Sequence, residues 1–100
     1  MNPIHFDCMG NQIQVGDYVA IDHRDGNSSR MSISCVVELD PNDETKAVLA
    51  GGSFNWRGEF WANSRRSKTV RLNECVKIQR EFVAESVEVA LSDLVMGGKK

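Results

Sequence analysis

The stretch IQVGDYVAIDH, residues 13–23, carries the pattern on which the fold prediction rests. Two sets of side chains alternate along it, with Tyr18, Ala20 and Asp22 falling between Val19, Ile21 and His23. An extended chain points successive side chains to opposite faces of a sheet, so this alternation is typical of a half-buried strand. We therefore predict a strand over residues 18–23, entered through residues 13–17.

Further short strands are predicted on both sides of this stretch. They cover residues 4–9, 30–39, 46–50, 69–72 and 76–79. The segments between them are rich in turn residues, at Gly10-Asn11, residues 24–29 and residues 40–43. Gly51-Gly52 is expected to end the strand over residues 46–50, and residues 73–75 suit a tight 3₁₀ turn. The whole pattern predicts a small, mainly β fold.

The tail changes from a period of two to the period of a helix. Over residues 81–96, apolar residues recur three or four positions apart, at Val83, Val87, Ala90 and Leu94, with Leu91 and Val95 beside them. The acids Glu81, Glu85 and Glu88 fall on another face. Gly97-Gly98 and Lys99-Lys100 agree with the preferences of a helix C-terminus. We predict a C-terminal amphipathic helix, with a strand as the minority interpretation.

The composition indicates one small folded domain, residues 1–100, because 41% of the residues are hydrophobic and 26% are charged. No apolar run approaches the roughly 20 residues of a membrane span, and residues 1–10 lack the features of a secretion signal. The three cysteines, Cys8, Cys35 and Cys75, are odd in number and far apart, which favours reduced thiols, with Cys35 and Cys75 buried. We therefore expect a cytoplasmic protein with no membrane partner.

The order of these elements resembles that of small SH3-like β-barrels, including the KOW-type domains of translation and transcription proteins. Residues 13–19, IQVGDYV, match the entry into a first barrel strand, and residues 70–78, VRLNECVKI, look like a penultimate strand, a 3₁₀ turn and a final strand. The resemblance covers residues 13–79 and implies a barrel of about five strands, used for binding nucleic acid, peptides or proteins. In style the chain is also similar to small accessory proteins of bacteriophages.

One stretch, FNWRGEFWANSRRSKTVR at residues 54–71, interleaves aromatic and basic side chains. Residues 57–80 hold seven basic and two acidic residues, although the whole chain carries a net charge of −2. A protein that binds single-stranded nucleic acid needs cationic side chains that contact the phosphates and flat side chains on which the bases stack. This stretch supplies both and therefore predicts nucleic-acid binding. The candidate ligand-binding residues are Phe54, Trp56, Arg57, Phe60, Trp61, Arg65, Arg66, Lys68 and Arg71.

Other interpretations of the same features stay open. The aromatic residues could fill the core while the arginines form a solvated face, or the stretch could bind an acidic protein partner. The second option describes a protein-interaction module, for instance one that modifies a host enzyme. The apolar face of the predicted helix could close one end of the barrel or pair with a second copy, which would make a homodimer.

We predict neither a catalytic nor a metal site. His5 and Cys8 form a close pair, but structural zinc sites usually contribute ligands in two such pairs. Glycine-flanked nucleophile patterns are missing, and Gly51-Gly52-Ser53 lacks the Gly-Lys-Ser/Thr ending of a phosphate-binding loop. A non-enzymatic protein without a cofactor is therefore expected.

Overall fold

The computed structural model describes residues 3–25, 28–54, 57–63, 65–69 and 71–96; for residues 22–25, 28–31, 69 and 80 it describes the backbone alone. The strands are β1 (His5–Phe6), β2 (Gln12–Ile13), β3 (Tyr18–Asp25), β4 (Ser28–Leu39), β5 (Ala47–Phe54), β6 (Phe60–Ala62), β7 (Ser67–Thr69) and β8 (Val76–Ile78). Two 3₁₀ helices, Leu72–Glu74 and Arg80–Phe82, precede the α-helix α1 (Glu85–Val95).

Six strands form one antiparallel sheet in the order β6–β5–β4–β3–β8, with β7 paired to β5 on the same edge as β6. The remaining two strands, β1 and β2, form a separate hairpin. Within the described residues β6 and β8 do not pair, so the sheet is not closed. The predicted mainly β fold with a C-terminal helix is thus confirmed, and its strands are antiparallel, whereas the predicted SH3-like barrel of about five strands is not confirmed.

Each face of the sheet has its own apolar cover. On one face Val36 and Leu49, paired across β4 and β5, pack with Ile13 of the β1–β2 hairpin and Leu72 of the first 3₁₀ helix. On the opposite face the next pair along, Cys35 and Ala50, lies under α1, whose buried side chains are Val87, Leu91 and Leu94. The sheet is therefore the middle layer between the hairpin and α1, as the alternation of strand side chains allows.

The predicted strands around residues 18–23 and 30–39 are confirmed, and both are longer than predicted. β3 continues to Asp25 and β4 begins at Ser28, so residues 24, 25, 28 and 29 of the predicted turn belong to strands, and residues 26–27 lie outside the described residues. The prediction that Gly51-Gly52 ends a strand was wrong, because β5 continues through both glycines to Phe54. The strand predicted over residues 69–72 overlaps β7 only at Thr69, because β7 covers Ser67–Thr69 and Leu72 begins the first 3₁₀ helix.

The predicted C-terminal helix is confirmed as α1, and the strand interpretation of the tail was wrong. The α-helix begins at Glu85 because Arg80–Phe82 forms a 3₁₀ helix first. Glu85 and Glu88 lie in its first turn, where their negative charge interacts favourably with the positive end of the helix dipole. The predicted Gly97-Gly98 and Lys99-Lys100 terminus lies outside the described residues.

The carboxylate of Asp7 joins the β1–β2 hairpin to the edge strand β8. Its side chain is 4% exposed and accepts hydrogen bonds from the backbone N–H groups of Met9 (2.9 Å) and Asn11 (2.8 Å), and from the Asn11 side chain (3.3 Å). The fourth donor is the backbone N–H of Lys77, at 2.7 Å. Burial alone would raise the pKa of Asp7, but these four hydrogen bonds outweigh it and lower the pKa below its usual value.

A second long-range contact holds the loop between β4 and β5. The buried His5 ring lies with Nε2 3.0 Å from the backbone carbonyl oxygen of Asp43, to which it donates. Asp43 in turn accepts from the Thr45 hydroxyl (2.6 Å) and backbone N–H (2.8 Å), and these bonds lower the pKa of the Asp43 carboxyl. The carbonyl oxygen of Thr45 accepts from the N–H of Leu72. The hairpin, the loop and the first 3₁₀ helix are therefore one connected layer.

The helices in the described part of the chain are all too short or too polar to cross a membrane.

We expect Asp7→Asn to destabilise the fold at pH 7 by about 2 kcal/mol, because an amide replaces a carboxylate that four donors hold. The pKa of Asp7 is lower in the folded than in the unfolded chain, so its stabilising contribution is complete above roughly pH 4 and is lost as the pH falls through the folded pKa. The difference in the free energy of unfolding between wild type and Asp7→Asn should accordingly become smaller in acid. Urea unfolding at pH 7 and pH 3 measures both values.

The matched control is Asp40→Asn, which makes the same chemical change at a half-buried loop residue whose carboxylate accepts a solvent-exposed hydrogen bond from the backbone N–H of Asn42. Its effect should stay within about 0.5 kcal/mol. Equal losses of unfolding free energy in the two variants would contradict the role assigned to Asp7. So would a loss of unfolding free energy in Asp7→Asn that does not change with pH.

Candidate functional site

The aromatic and basic stretch, residues 54–71, forms one edge of the sheet. β6 pairs with the last part of β5, where Phe60 lies opposite Phe54 and Ala62 opposite Gly52. β7 pairs with the first part of β5, where Ser67 lies opposite Leu49. Asn63 continues the β6 ladder through a 2.8 Å bond from its N–H to the Gly51 carbonyl oxygen. β6 and β7 are thus two pieces of one interrupted edge strand.

The aromatic residues of this edge divide between the two faces of the sheet. Phe60 and Ala62 pack toward the apolar cluster under α1. Phe54 meets Phe60 edge to face, with ring centroids 5.1 Å apart and an interplanar angle of 68°. Trp61, between Phe60 and Ala62, belongs to the opposite face because strand side chains alternate. Trp56 lies outside the described residues.

Among the described aromatic residues of this edge Trp61 is the most exposed, with 64% of its surface accessible against 37% for Phe54. The cross-strand neighbour of Trp61 on β5 is Ser53, and the next residue across the sheet is Ser32 of β4. Both neighbours are small and polar, so no bulky side chain of that row lies directly beside the indole ring. The row offers a flat aromatic surface with hydroxyl groups beside it.

Gly52 allows the edge strand to approach β5 closely. A Cβ atom at Gly52 would overlap the Trp61 carbonyl oxygen and would come within 2.8 Å of the Ala62 Cα and 2.9 Å of the Phe60 ring. A side chain at this position would therefore displace β6. The glycine that was predicted to end β5 instead positions Trp61.

Arg66 has a structural role that the sequence did not reveal. Its Nε donates to the carbonyl oxygen of Leu94 at 2.9 Å, and its Nη2 donates to that of Val95 at 2.7 Å. These carbonyls belong to the last turn of α1, where a helix has unpaired acceptors and a partial negative charge. The last turn of α1 has no basic residue of its own. Arg66 is therefore a C-terminal cap supplied by the sheet edge.

The other basic residues of the stretch are exposed and spread along the edge. Arg57 lies in the turn before β6, and Arg65 lies in the bend after it, so the two flank Trp61 by four residues on either side. Lys68 lies opposite Val48 on β7. Arg71 forms a 3.5 Å ion pair with Glu74. The cations nearest to Trp61 along the chain are thus Arg57 and Arg65.

The remaining candidate groups lie apart from one another in the part of the chain that the structure describes. The described residues contain no cluster of three His, Cys, Asp or Glu side chains suited to a metal ion. His5 is buried against the Asp43 carbonyl, while Cys8 is exposed. A polar cleft of about 370 Å³ lies at the opposite edge of the sheet from Trp61, lined by Asn11, Gln12, Gln14, Lys77 and Gln79. The ammonium group of Lys77 in this cleft already forms an ion pair with Asp17, at 3.4 Å.

Comparisons of the chain with protein-family models, with curated proteins and with solved structures found no match.

Arg65 and Arg66 form a matched pair of neighbours that separates folding from surface charge. We expect Arg66→Ala to lower the free energy of unfolding by about 1 kcal/mol, because α1 loses two charge-assisted hydrogen bonds at its C-terminus. Arg65→Ala should change it by less than about 0.5 kcal/mol. Urea unfolding followed by circular dichroism at 222 nm measures both. Equal stability of the two variants would refute the capping role of Arg66.

Proposed function

We propose that this chain is a non-enzymatic module that binds a short single-stranded nucleic-acid segment on the β6 edge. The observation that carries the proposal is Trp61, 64% exposed at a paired strand position with Ser53 beside it. In this proposal Trp61 stacks on a base, and Arg57 and Arg65 contact phosphates on either side. Lys68 adds positive charge along the edge, whereas Phe54 packs against Phe60 on the other face of the sheet and is not part of the proposed stacking surface.

Trp61 leaves most of its apolar surface outside the core. A buried aromatic side chain contributes about 2 kcal/mol or more through its apolar surface, which Trp61 largely forgoes. An indole ring in this setting regains that contribution when a flat partner covers it. Base stacking on an aromatic side chain contributes about 1–3 kcal/mol per base and does not require a particular sequence.

The charge distribution favours an anionic ligand at this edge. The basic residues concentrate in residues 57–80 of a chain whose net charge is −2. A local positive field attracts phosphates to one place, while the acidic remainder of the chain opposes coating of long DNA. Unpaired bases fit better than a duplex because Trp61 presents a flat ring, and stacking on it requires a base whose face is free.

The proposal includes an open scaffold related to the SH3-like barrels. The 3₁₀ helix Leu72–Glu74 and the strand β8 follow β7 in the order that the resemblance implies, and this order supports the relationship. A cytoplasmic location, a bacteriophage origin and a homodimer remain predictions. The apolar side chains of α1 that suggested a homodimer pack on the sheet within one copy.

A protein-interaction module is the second candidate, favoured by apolar side chains on the outer side of the β1–β2 hairpin. Ile4, Phe6 and Met9 are all exposed there, while His5 and Ile13 point into the core. An apolar group of this kind suits a protein partner better than it suits nucleic acid. The two candidates use different surfaces, so Ile4→Ser with Phe6→Ser should abolish the binding of a protein partner and leave the binding of oligonucleotides unchanged.

The test of nucleic-acid binding is fluorescence anisotropy with labelled single-stranded and duplex oligonucleotides of equal length at two salt concentrations. We expect single strands to bind more tightly, with an affinity that falls with salt. Trp61→Ala should weaken binding about 5- to 150-fold, which corresponds to the loss of one stacked base, and Trp61→Phe should retain part of it. Arg65→Ala should make the fall of log K with log salt concentration less steep, reducing the magnitude of the slope by about 0.7.

The matched control is Phe82→Ala, which removes an equally exposed aromatic ring from the segment between β8 and α1. The affinity of Phe82→Ala for single-stranded oligonucleotides should equal that of the wild type. The proposal fails if Trp61→Ala and Phe82→Ala bind alike, or if the wild type does not bind single strands at low salt. In the second case the hairpin surface and a protein partner become the leading interpretation.

A further inference from the structure

Two of the three thiols lie next to each other where the β1–β2 hairpin meets β8. Cys8 lies in the turn after β1, and Cys75 lies between the first 3₁₀ helix and β8. The backbone N–H of Cys8 donates to the carbonyl oxygen of Cys75 at 2.9 Å. Both side chains are free thiols in the structure, Cys8 exposed and Cys75 fully buried.

This hydrogen bond limits the separation of the two residues. With ordinary covalent bond lengths, an N–H···O contact of 2.9 Å holds the two Cα atoms within about 6.8 Å of each other. Disulfides usually join Cα atoms about 4.4–6.8 Å apart. The Cα separation that this bond allows therefore lies within the range of a disulfide. The Cys75 thiol makes a weak 3.7 Å contact with the Arg71 carbonyl oxygen, which a disulfide would replace.

We propose that Cys8 and Cys75 form a reversible disulfide when the protein meets a low-molecular-weight disulfide such as oxidised glutathione. The Cys8 thiolate attacks one glutathione sulfur, forms a mixed disulfide and releases one glutathione thiolate, which takes up the proton that Cys8 lost. The Cys75 sulfur then attacks the Cys8 sulfur, breaks the mixed disulfide and releases the second glutathione with the Cys75 proton. Two cysteine thiols are oxidised by two electrons, and one oxidised glutathione is reduced to two thiols.

The environments of the two thiols set the order of these steps. Cys8 is exposed and can meet the oxidant, whereas Cys75 cannot. Burial raises the pKa of Cys75 to about 11, and the nearby Cys8 sulfur adds to this effect, so Cys75 remains a protonated thiol at neutral pH. The second step should therefore be the slow one and should accelerate between pH 7 and pH 9. Cys35 lies on the other face of the sheet, under α1, and takes no part.

The disulfide would fix the β1–β2 hairpin covalently to the β8 edge, beside the hydrogen bond from Lys77 to Asp7. It would close a loop of most of the chain, which restricts the unfolded state more than a short loop does. Trp61 lies at the opposite edge of the sheet. The inference therefore stands independently of the proposed function, and oxidation is expected to change stability rather than oligonucleotide affinity.

The experiment incubates the purified reduced chain with oxidised glutathione and follows intact mass, peptide mapping and thermal unfolding. We expect a final mass lower by two hydrogen atoms, a cross-linked peptide pair containing Cys8 and Cys75, and a rise in Tm of about 5 °C or more. Dithiothreitol should reverse all three changes. Cys35→Ala should behave as the wild type.

Cys8→Ser is the discriminating variant, because it replaces an exposed side chain and should fold normally. It should give neither the cross-link nor the rise in Tm. A stable glutathione adduct on Cys8 of the wild-type chain, with Cys75 still a free thiol after prolonged incubation at pH 9, would overturn the proposal. So would a cross-link from Cys8 to Cys35 or between two chains in place of the Cys8–Cys75 link.

Discussion

The fold depends on one constraint: the central strands β4 and β5 carry apolar side chains on both faces, so both faces must be covered. The pair Val36 and Leu49 faces one way, and the pair Cys35 and Ala50 faces the other. The β1–β2 hairpin covers the first face and α1 the second, and the long-range hydrogen bonds of Asp7, His5 and Arg66 fix these covers in place.

What the sequence could predict follows from periodicity. Alternation identifies β3 and β4 and a 3.6-residue period identifies α1, because each pattern is local to its element. The glycine pair misled the prediction, since glycine favours turns but also permits close strand approach, and only the position of β6 across from Gly52 decides between the two. The missing closure of the barrel likewise depends on where distant strands pair.

The candidate site was predictable in composition but not in geometry. The sequence places Arg65 and Arg66 side by side, yet one is exposed in a bend and the other caps a helix 28 residues further on. Phe60 and Trp61 are also neighbours, yet alternation sends them to opposite faces. The role of Asp7 left a local signal, because an aspartate just before Gly10-Asn11 suits a turn that its carboxylate stabilises. Its bond to Lys77, 70 residues away, left none.

The two outer edges of the sheet differ in how their backbone groups are covered, and this difference bears on the binding mode proposed for the β6 edge. At β8 the outward N–H of Lys77 and the carbonyl of Cys75 are occupied by Asp7 and Cys8, so the hairpin protects this edge from pairing with another strand. At the other edge, β6 and β7 have three residues each and a bend between them. Such short pieces offer little backbone for an added strand. A ligand at this edge, as proposed, would therefore be held by side chains, among them the exposed Trp61 ring and, four residues before and after it in the chain, Arg57 and Arg65.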